Sequence, residues 1–473
     1  YKQIRSFVFK KNFIYFKNKY VQSFEFLNYS KNLGGNIGIN ISKSSIFQWF
    51  NINNNKINYP WVDDLTSKRL INIIYNYEYI NSSSSLNERH MLNKIIFYHI
   101  ERVVFENKNK KIDEVTSSDL KAYTLSLFLL NKMAERNKTE IERRLLHQVD
   151  MFGMHRSYNV LEHAKFINDL YEIKNIFLFF KSITSKKFDQ TVVKMTSSLN
   201  EYFHSDGSIP LFNGSNNIYT ENIKNSLNKD IYLKSRNYPN NLNGIAYYRD
   251  KSRTLFFDVV QPNKDIISSN LNSGTLSFEF SADGEKVISN CGASESFGKN
   301  PEYLRYSAAH STIILQNTNI SEINEKKSYV KFPQSVSFNS NSTEDEMIFE
   351  SSHNGYLKKF KKIVKRKINI NKNKNIINGE DTIISLKNIT DRIIYHIRFH
   401  LSDGFSFNFT NNKKNLILKS KFKKMWLFKC DSEIVVEDSI LVDKNNTLPT
   451  NQIVIKGVLS TNKIEKKWSL EKI

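Results

Sequence analysis

Thr254-Leu-Phe-Phe-Asp-Val-Val260 and Gly274-Thr-Leu-Ser-Phe-Glu-Phe280 mark the place where the chain changes its period. Up to about Asn240 the apolar residues recur at steps of three and four. From these two stretches onward the step is two, and β-branched and aromatic residues take over. The same pattern continues in Ser311-Thr-Ile-Ile-Leu315, Ile393-Ile-Tyr-His-Ile-Arg-Phe-His-Leu401, Met425-Trp-Leu-Phe-Lys-Cys430 and Gln452-Ile-Val-Ile455. Asp283-Gly284 and Asp403-Gly404 supply turns between them. An antiparallel β domain is therefore predicted for the second half.

Upstream, Thr66 to Asp206 reads as a stack of helices. Met91, Leu92, Ile95, Ile96, Ile100, Val103 and Val104 form one stripe along Glu88 to Asn107. Ser118 or Asp119 can cap the next helix, and Thr139 the one after it. Two more run over Asn159–Phe177 and Lys187–Phe203, the last stopped by Ser205-Asp206-Gly207. Serines 82 to 85 read as a loop, and Lys358 to Lys374 as a basic strand or ribbon. The predicted domains are 1–225 (helical), 226–245 (connector) and 246–473 (antiparallel β). A chain of 473 residues also exceeds what one ordinary core holds.

The 69 Lys+Arg against 47 Asp+Glu give a formal charge of +22, which favours polyanionic partners. Of these cations 54 are lysines and only 15 arginines, the residue bias of an AT-rich coding sequence, so part of the charge is habit rather than function. Hydrophobic residues at 40% exclude global disorder. Two cysteines, Cys291 and Cys430, make neither a disulfide framework nor a cysteine-rich zinc module. No apolar run approaches the roughly 18 residues of a membrane span, and mean hydropathy is −0.49. No phosphate-cradling loop, nucleophile elbow or nucleic-acid-binding motif is present, so no nucleic-acid partner is expected.

Arg305-Tyr306-Ser307-Ala308-Ala309-His310-Ser311-Thr312, followed by Asn319-Ile320-Ser321-Glu322, resembles a signature of the heparinase II/III family of polysaccharide lyases. Gly274–Phe280, Ser289-Asn290-Cys291-Gly292, Ile397-Arg398-Phe399-His400-Leu401, Gln452-Ile453-Val454 and Trp468 fit the same family in order. So do Trp61 with Arg69 and Phe212-Asn213-Gly214 after Asp206-Gly207. The resemblance implies an incomplete α/α toroid followed by an antiparallel β-sandwich-like domain. It also implies β-elimination of an acidic, uronic acid-containing polysaccharide. That reaction needs a group to neutralise the carboxylate, a base for the C5 proton and an acid for the leaving oxygen. Many members are periplasmic, although no export signal is visible here.

By this resemblance the catalytic candidates are His155, Tyr158 and Asn159 in Gly153-Met-His-Arg-Ser-Tyr-Asn159, with Tyr219 and His310. His155 and Asn159 read equally as residues serving a helix start, and His163 as packing. Arg156, Asn272, Arg305, Arg398 and His400 are candidate contacts to an acidic sugar. The alternation His396, Arg398, His400 also reads as the solvated face of a strand. His310 resembles a ligand of a structural zinc, or reads as a buried, hydrogen-bonded histidine. The positions matching the other two ligands hold Asn272 and Asn290, neutral amides that serve zinc poorly, so no metal is expected. Asn270 stands where a further catalytic histidine belongs. These replacements leave open a second class, a non-catalytic glycan-binding or cell-envelope protein.

Overall fold

The computed structural model describes residues 19–54, 60–61, 64–217, 220, 223, 241–242, 244–261, 271–294, 302–323, 332–388, 392–410, 413–443 and 446–473. Helices come first and strands second: among the described residues the first strand is Asn241–Leu242. The chain divides into two compact units. One comprises Tyr1–Gln148 with Phe166–Val192, the other Val149–Lys165 with Val193–Ile473. No described helix is long and apolar enough to cross a membrane.

In the first unit the predicted stripe lies on the helix Leu86–Asn109. It starts at Ser85, inside the tract read as a loop. The Ser85 hydroxyl accepts the Glu88 amide while the Glu88 carboxylate accepts the Ser85 amide, a closed capping box. Ser118 and Asp119 are not the cap of the next helix, Ser117–Leu129; Thr116 is, and Asp119 answers it from the third position. Thr139 lies within Glu135–His147, its hydroxyl donating back to the Glu135 carbonyl. Phe24, Trp49, Trp61, Leu92 and Ile95 share a core. Arg69 is fully buried there, its guanidinium 4.3 and 4.8 Å from the Trp49 and Trp61 rings and donating to the Gln22 and Pro60 carbonyls.

The second unit is built on two antiparallel sheets. Across the first lie Asn241–Leu242, Ile245–Arg249, Arg253–Asp258, Phe278–Ala282, Glu285–Ser289, Ile394–Leu401, Asn446–Val458 and Ile434–Asp443, with Ile313–Leu315 also pairing to Ile394–Leu401. The second runs Ser406–Phe409, Asn415–Lys419, Met425–Cys430, Lys463–Lys472, Ile376–Ser385, Lys362–Asn371, Glu346–His353 and Val336–Ser342. Alternation sends Leu255, Phe257, Phe278, Phe280, Ile397 and Phe399 from the first sheet and Val364, Ile368, Ile377, Phe428 and Trp468 from the second into one core. Each fully buried side chain of this kind contributes about 2–3 kcal/mol.

Trp468 stacks on Phe278 at 5.5 Å, and Gly379 makes room for it: a β-carbon there would lie 2.0 Å from the indole. On adjacent strands of the second sheet Arg366 pairs bidentately with Asp381 at 2.6 and 2.9 Å, and Trp468 Nε1 donates to the same carboxylate at 2.9 Å. Lys358 to Lys374 begins as the short helix Leu357–Phe360 and continues as the strand Lys362–Asn371. Its charge is divided. Arg366 and Lys362 are buried and Lys365 pairs with Glu350, while Lys358, Lys359 and Lys361 stay exposed.

Candidate active site

The segment Val149–Lys165 belongs to the same compact unit as the sheets. Its turn is shaped by Asp150, whose Oδ1 accepts the amides of Phe152 and Met154, and by a bridge between Val149 and His155. The His155 amide donates to Nδ1 of His163 at 3.1 Å. Nε2 of His163 faces the Met195 carbonyl at 3.0 Å, which makes it the protonated nitrogen. His163, read from the sequence as packing, thus also fixes the backbone of His155.

The His155 ring is oriented in turn. Its Nδ1 accepts the Ser157 amide at 3.3 Å and lies 2.8 Å from the Ser157 hydroxyl. A nitrogen that accepts an amide hydrogen carries no proton, so the neutral ring holds its hydrogen on Nε2. Burial pushes its pKa down to about 4, against a weaker upward pull from Glu162, and the ring is neutral at pH 7.

Asn159 caps the helix Val160–Phe179. Its Oδ1 accepts the Glu162 amide at 3.0 Å and the Ser215 hydroxyl at 3.0 Å, and its Nδ2 donates to the Asn213 carbonyl at 3.0 Å. Asn213 Oδ1 accepts the Asn272 amide at 3.3 Å, and its Nδ2 donates to the Tyr158 carbonyl at 3.3 Å. Tyr158, Asn159, Asn213 and Asn272 therefore form one hydrogen-bonded chain from the turn to the loop before the strand Phe278–Ala282. Three residues around it, Tyr158, Asn213 and Leu276, hold left-handed backbones at φ 51°, 51° and 62°. Asparagine tolerates this conformation, whereas Tyr158 and Leu276 are kept in it by their surroundings at a cost.

The His310 loop is zipped to that same loop. Ser307 Oγ donates to the Ser273 carbonyl and Thr312 Oγ1 to the Thr275 carbonyl, both at 2.7 Å. Arg305 acts as a brace, its Nε and Nη2 donating to the Leu271 carbonyl at 3.3 and 3.2 Å. His310 itself is 1% exposed, and neither ring nitrogen meets a hydrogen-bond partner among the described residues. Burial lowers its pKa to about 4, against the pull of Glu279. Its ring lies over Gly274, where a β-carbon would come within 2.9 Å.

The remaining candidates stand apart from this chain. His400 is 2% exposed; its Nε2 faces the Ala308 carbonyl at 3.0 Å and its Nδ1 the Ser439 hydroxyl at 2.7 Å. Arg398 donates to Glu437 and Gln452 at 3.1 and 3.0 Å, and Glu437 is shared with Lys456. Arg156 Nε approaches the Val149 carbonyl at 3.5 Å. Tyr219 and Asn270 lie outside the described residues.

The zinc implied by the family resemblance does not fit these side chains. Asn290 Oδ1 accepts the Ser311 amide at 2.9 Å while its Nδ2 donates to Glu279 at 3.0 Å, so this neutral amide is already engaged at both ends. With His310 as the one imidazole and Asn272 as a second amide, the donor set is not that of a tetrahedral zinc. Among the described residues no group of three or more His, Cys, Asp or Glu side chains could hold a metal ion.

A helical part followed by two facing antiparallel sheets, with a polar cluster on the strand loops, defines the class: the fold of the heparinase-like polysaccharide lyases. Residues 239–469 match the heparinase II/III-like C-terminal domain, and this half of the chain belongs to that family. The crystal structure of heparinase III superposes with a TM-score of 0.77 over 98% of this chain and 80% of that one, at 12% identity. A mutant of heparan sulfate lyase HepC from Pedobacter heparinus gives 0.64 over 97% and 77%, also at 12% identity. A second heparinase III gives 0.69 over 97% and 80%, at 11% identity. Curated protein sequences give no match. The N-terminal helices are thus an incomplete α/α toroid and the C-terminal sheets a β-sandwich.

The sequence reading passed over Asn213 as a site residue and Glu279 altogether. Asn213 had a local signal, an Asn-Gly step after an apolar pair. Glu279 had one too, an acid between two phenylalanines that point into the core, so that it must face the other side of the sheet.

Proposed function

We propose that this chain is a polysaccharide lyase acting on a uronic acid-containing glycan by β-elimination. The observation that carries the reading is the hydrogen-bonded chain from Tyr158 and Asn159 through Asn213 to Asn272, with three left-handed residues around it. Neutral His155, with its hydrogen on Nε2, is suited to donate to a uronate carboxylate or to the departing oxygen. His310, neutral at pH 7, is suited to accept the C5 proton. Asn159 works through Asn213 rather than on the sugar, since its amide holds the helix start and the neighbouring loop.

The test is a screen of the purified protein against heparin, heparan sulfate, chondroitin, hyaluronan and alginate, following the ultraviolet absorbance of unsaturated uronate. A time-dependent rise on one of them that His155→Ala removes supports the reading. A second reading, a glycan-binding protein without chemistry, is favoured by the neutral amides at Asn272 and Asn290. Binding of these glycans without any absorbance change would establish it instead.

A further inference from the structure

Glu279 is fully buried and receives five hydrogen-bond donors. Its Oε1 accepts the Leu211 amide at 3.1 Å, the Asn290 amide at 3.2 Å and Asn290 Nδ2 at 3.0 Å. Its Oε2 takes Lys286 Nζ at 2.8 Å and His204 Nε2 at 3.0 Å. Lys286 also donates to the Ile209 carbonyl at 3.3 Å. His204 donates from Nε2 and is neutral at pH 7, since burial and the neighbouring Lys286 push its pKa down to about 4 against the pull of Glu279; its Nδ1 lies 2.9 Å from the Ser281 hydroxyl, which accepts the Ser205 amide at 3.0 Å. One anion and one cation therefore balance inside the protein. Burial raises the Glu279 pKa, but Lys286 and His204 outweigh it and hold the carboxyl at about 2.

The position of this cluster in the chain gives it a consequence. Leu211 lies two residues before Asn213, the hub of the amide chain. Asn290 holds the Ser311 amide, next to His310. A single carboxylate thus ties together the two segments that meet at the candidate site, in the region where the resemblance implies a metal and the side chains do not suit one. We propose that Glu279, paired with Lys286, is a positioning residue that fixes the Asn213 segment against the His310 loop and does the structural work of an ion. That the positioned groups carry out elimination rests on the reading above; the pin itself is tested without activity.

The experiment uses the full chain with Lys286→Met, Glu279→Gln and the two combined. Either single change leaves one buried charge unbalanced and is expected to lower the thermal transition by roughly 10 °C. The double variant removes both charges and is expected to recover at least half of the summed loss. In protein labelled with nitrogen-15 at histidine, the His310 ring signals should move in each single variant and return toward their original positions in the double. Chelator and added zinc should leave the wild-type transition unchanged. Strictly additive losses, unmoved His310 signals, or a wild-type transition that falls on chelation would each overturn the proposal. Should the single variants fail to fold, a double variant that also fails would overturn it as well.

Discussion

His155 and Asn159 sit four residues apart and were drawn from the sequence as a pair, yet the structure gives them different work. The His155 ring is held by its Nδ1 with the hydrogen on Nε2, whereas the Asn159 side chain makes its hydrogen bonds with Glu162, Asn213 and Ser215 within the protein. Replacing His155 by Ala should therefore lower elimination at least ~100-fold, with the thermal transition falling only a few degrees for the lost Ser157 bond. Full activity in that variant would remove His155 from the chemistry. Asn159→Ala should cost about 1–2 kcal/mol through the lost cap, and Asn159→Ser should restore most of it. Paired denaturant titrations check this: equal losses in both variants would mean that capping is not what Asn159 contributes. The motif could point to this turn because its residue types are chemically distinctive. The division of roles was hidden, since Ser215 and Asn213, which occupy Asn159, lie more than fifty residues away in sequence.

At the level of elements, the pair Arg366–Asp381 links neighbouring strands of the second sheet, and Arg366 reaches from there to the loops of the first. Arg366 Nη1 donates to the carbonyls of Leu276 and Ser311 at 2.9 and 2.6 Å, on the two zipped loops. Arg366→Met or Asp381→Asn should each cost about 3–5 kcal/mol, because the surviving partner is left buried and unbalanced. A chemical denaturation midpoint unchanged in either variant would refute the pairing as a major contributor. Nothing in the local pattern announces this pair: Lys365-Arg366-Lys367 reads as a solvated basic run, and only the register of the strand turns its middle residue inward. Periodicity alone did locate the change from helices to strands, because it reflects burial within each element. Caps were less legible. Thr116 does the capping where Ser118 or Asp119 looked as suitable, and the helix expected to start at Thr139 begins after Ala134 with no side-chain cap, since many serines, threonines and aspartates compete for each helix start.

Across the whole molecule, burial keeps most of its histidines neutral. His99, His155, His163, His204, His310, His353 and His400 all have pKa values pushed down to about 3 or 4, burial being the largest cause in each. The unfolded chain binds protons at these sites below about pH 6.5, while the folded one does not until about pH 4. Their contribution to stability is therefore complete above pH 6.5 and is lost as the pH falls through that window. Asp258, raised to about 7 by burial, works in the opposite direction, as do the raised carboxyls of Glu106, Asp150 and Asp169, but they are fewer. The thermal transition should drop by roughly 10 °C or more between pH 7 and pH 5; a flat profile over that range would contradict the burial of these rings. The fold is that of the heparinase-like lyases, and the proposed elimination is tested most directly by the ultraviolet assay for unsaturated uronate. The account predicts a time-dependent rise on at least one uronic acid-containing polysaccharide, abolished in His155→Ala. Binding of the same polysaccharides with no rise on any of them would contradict it.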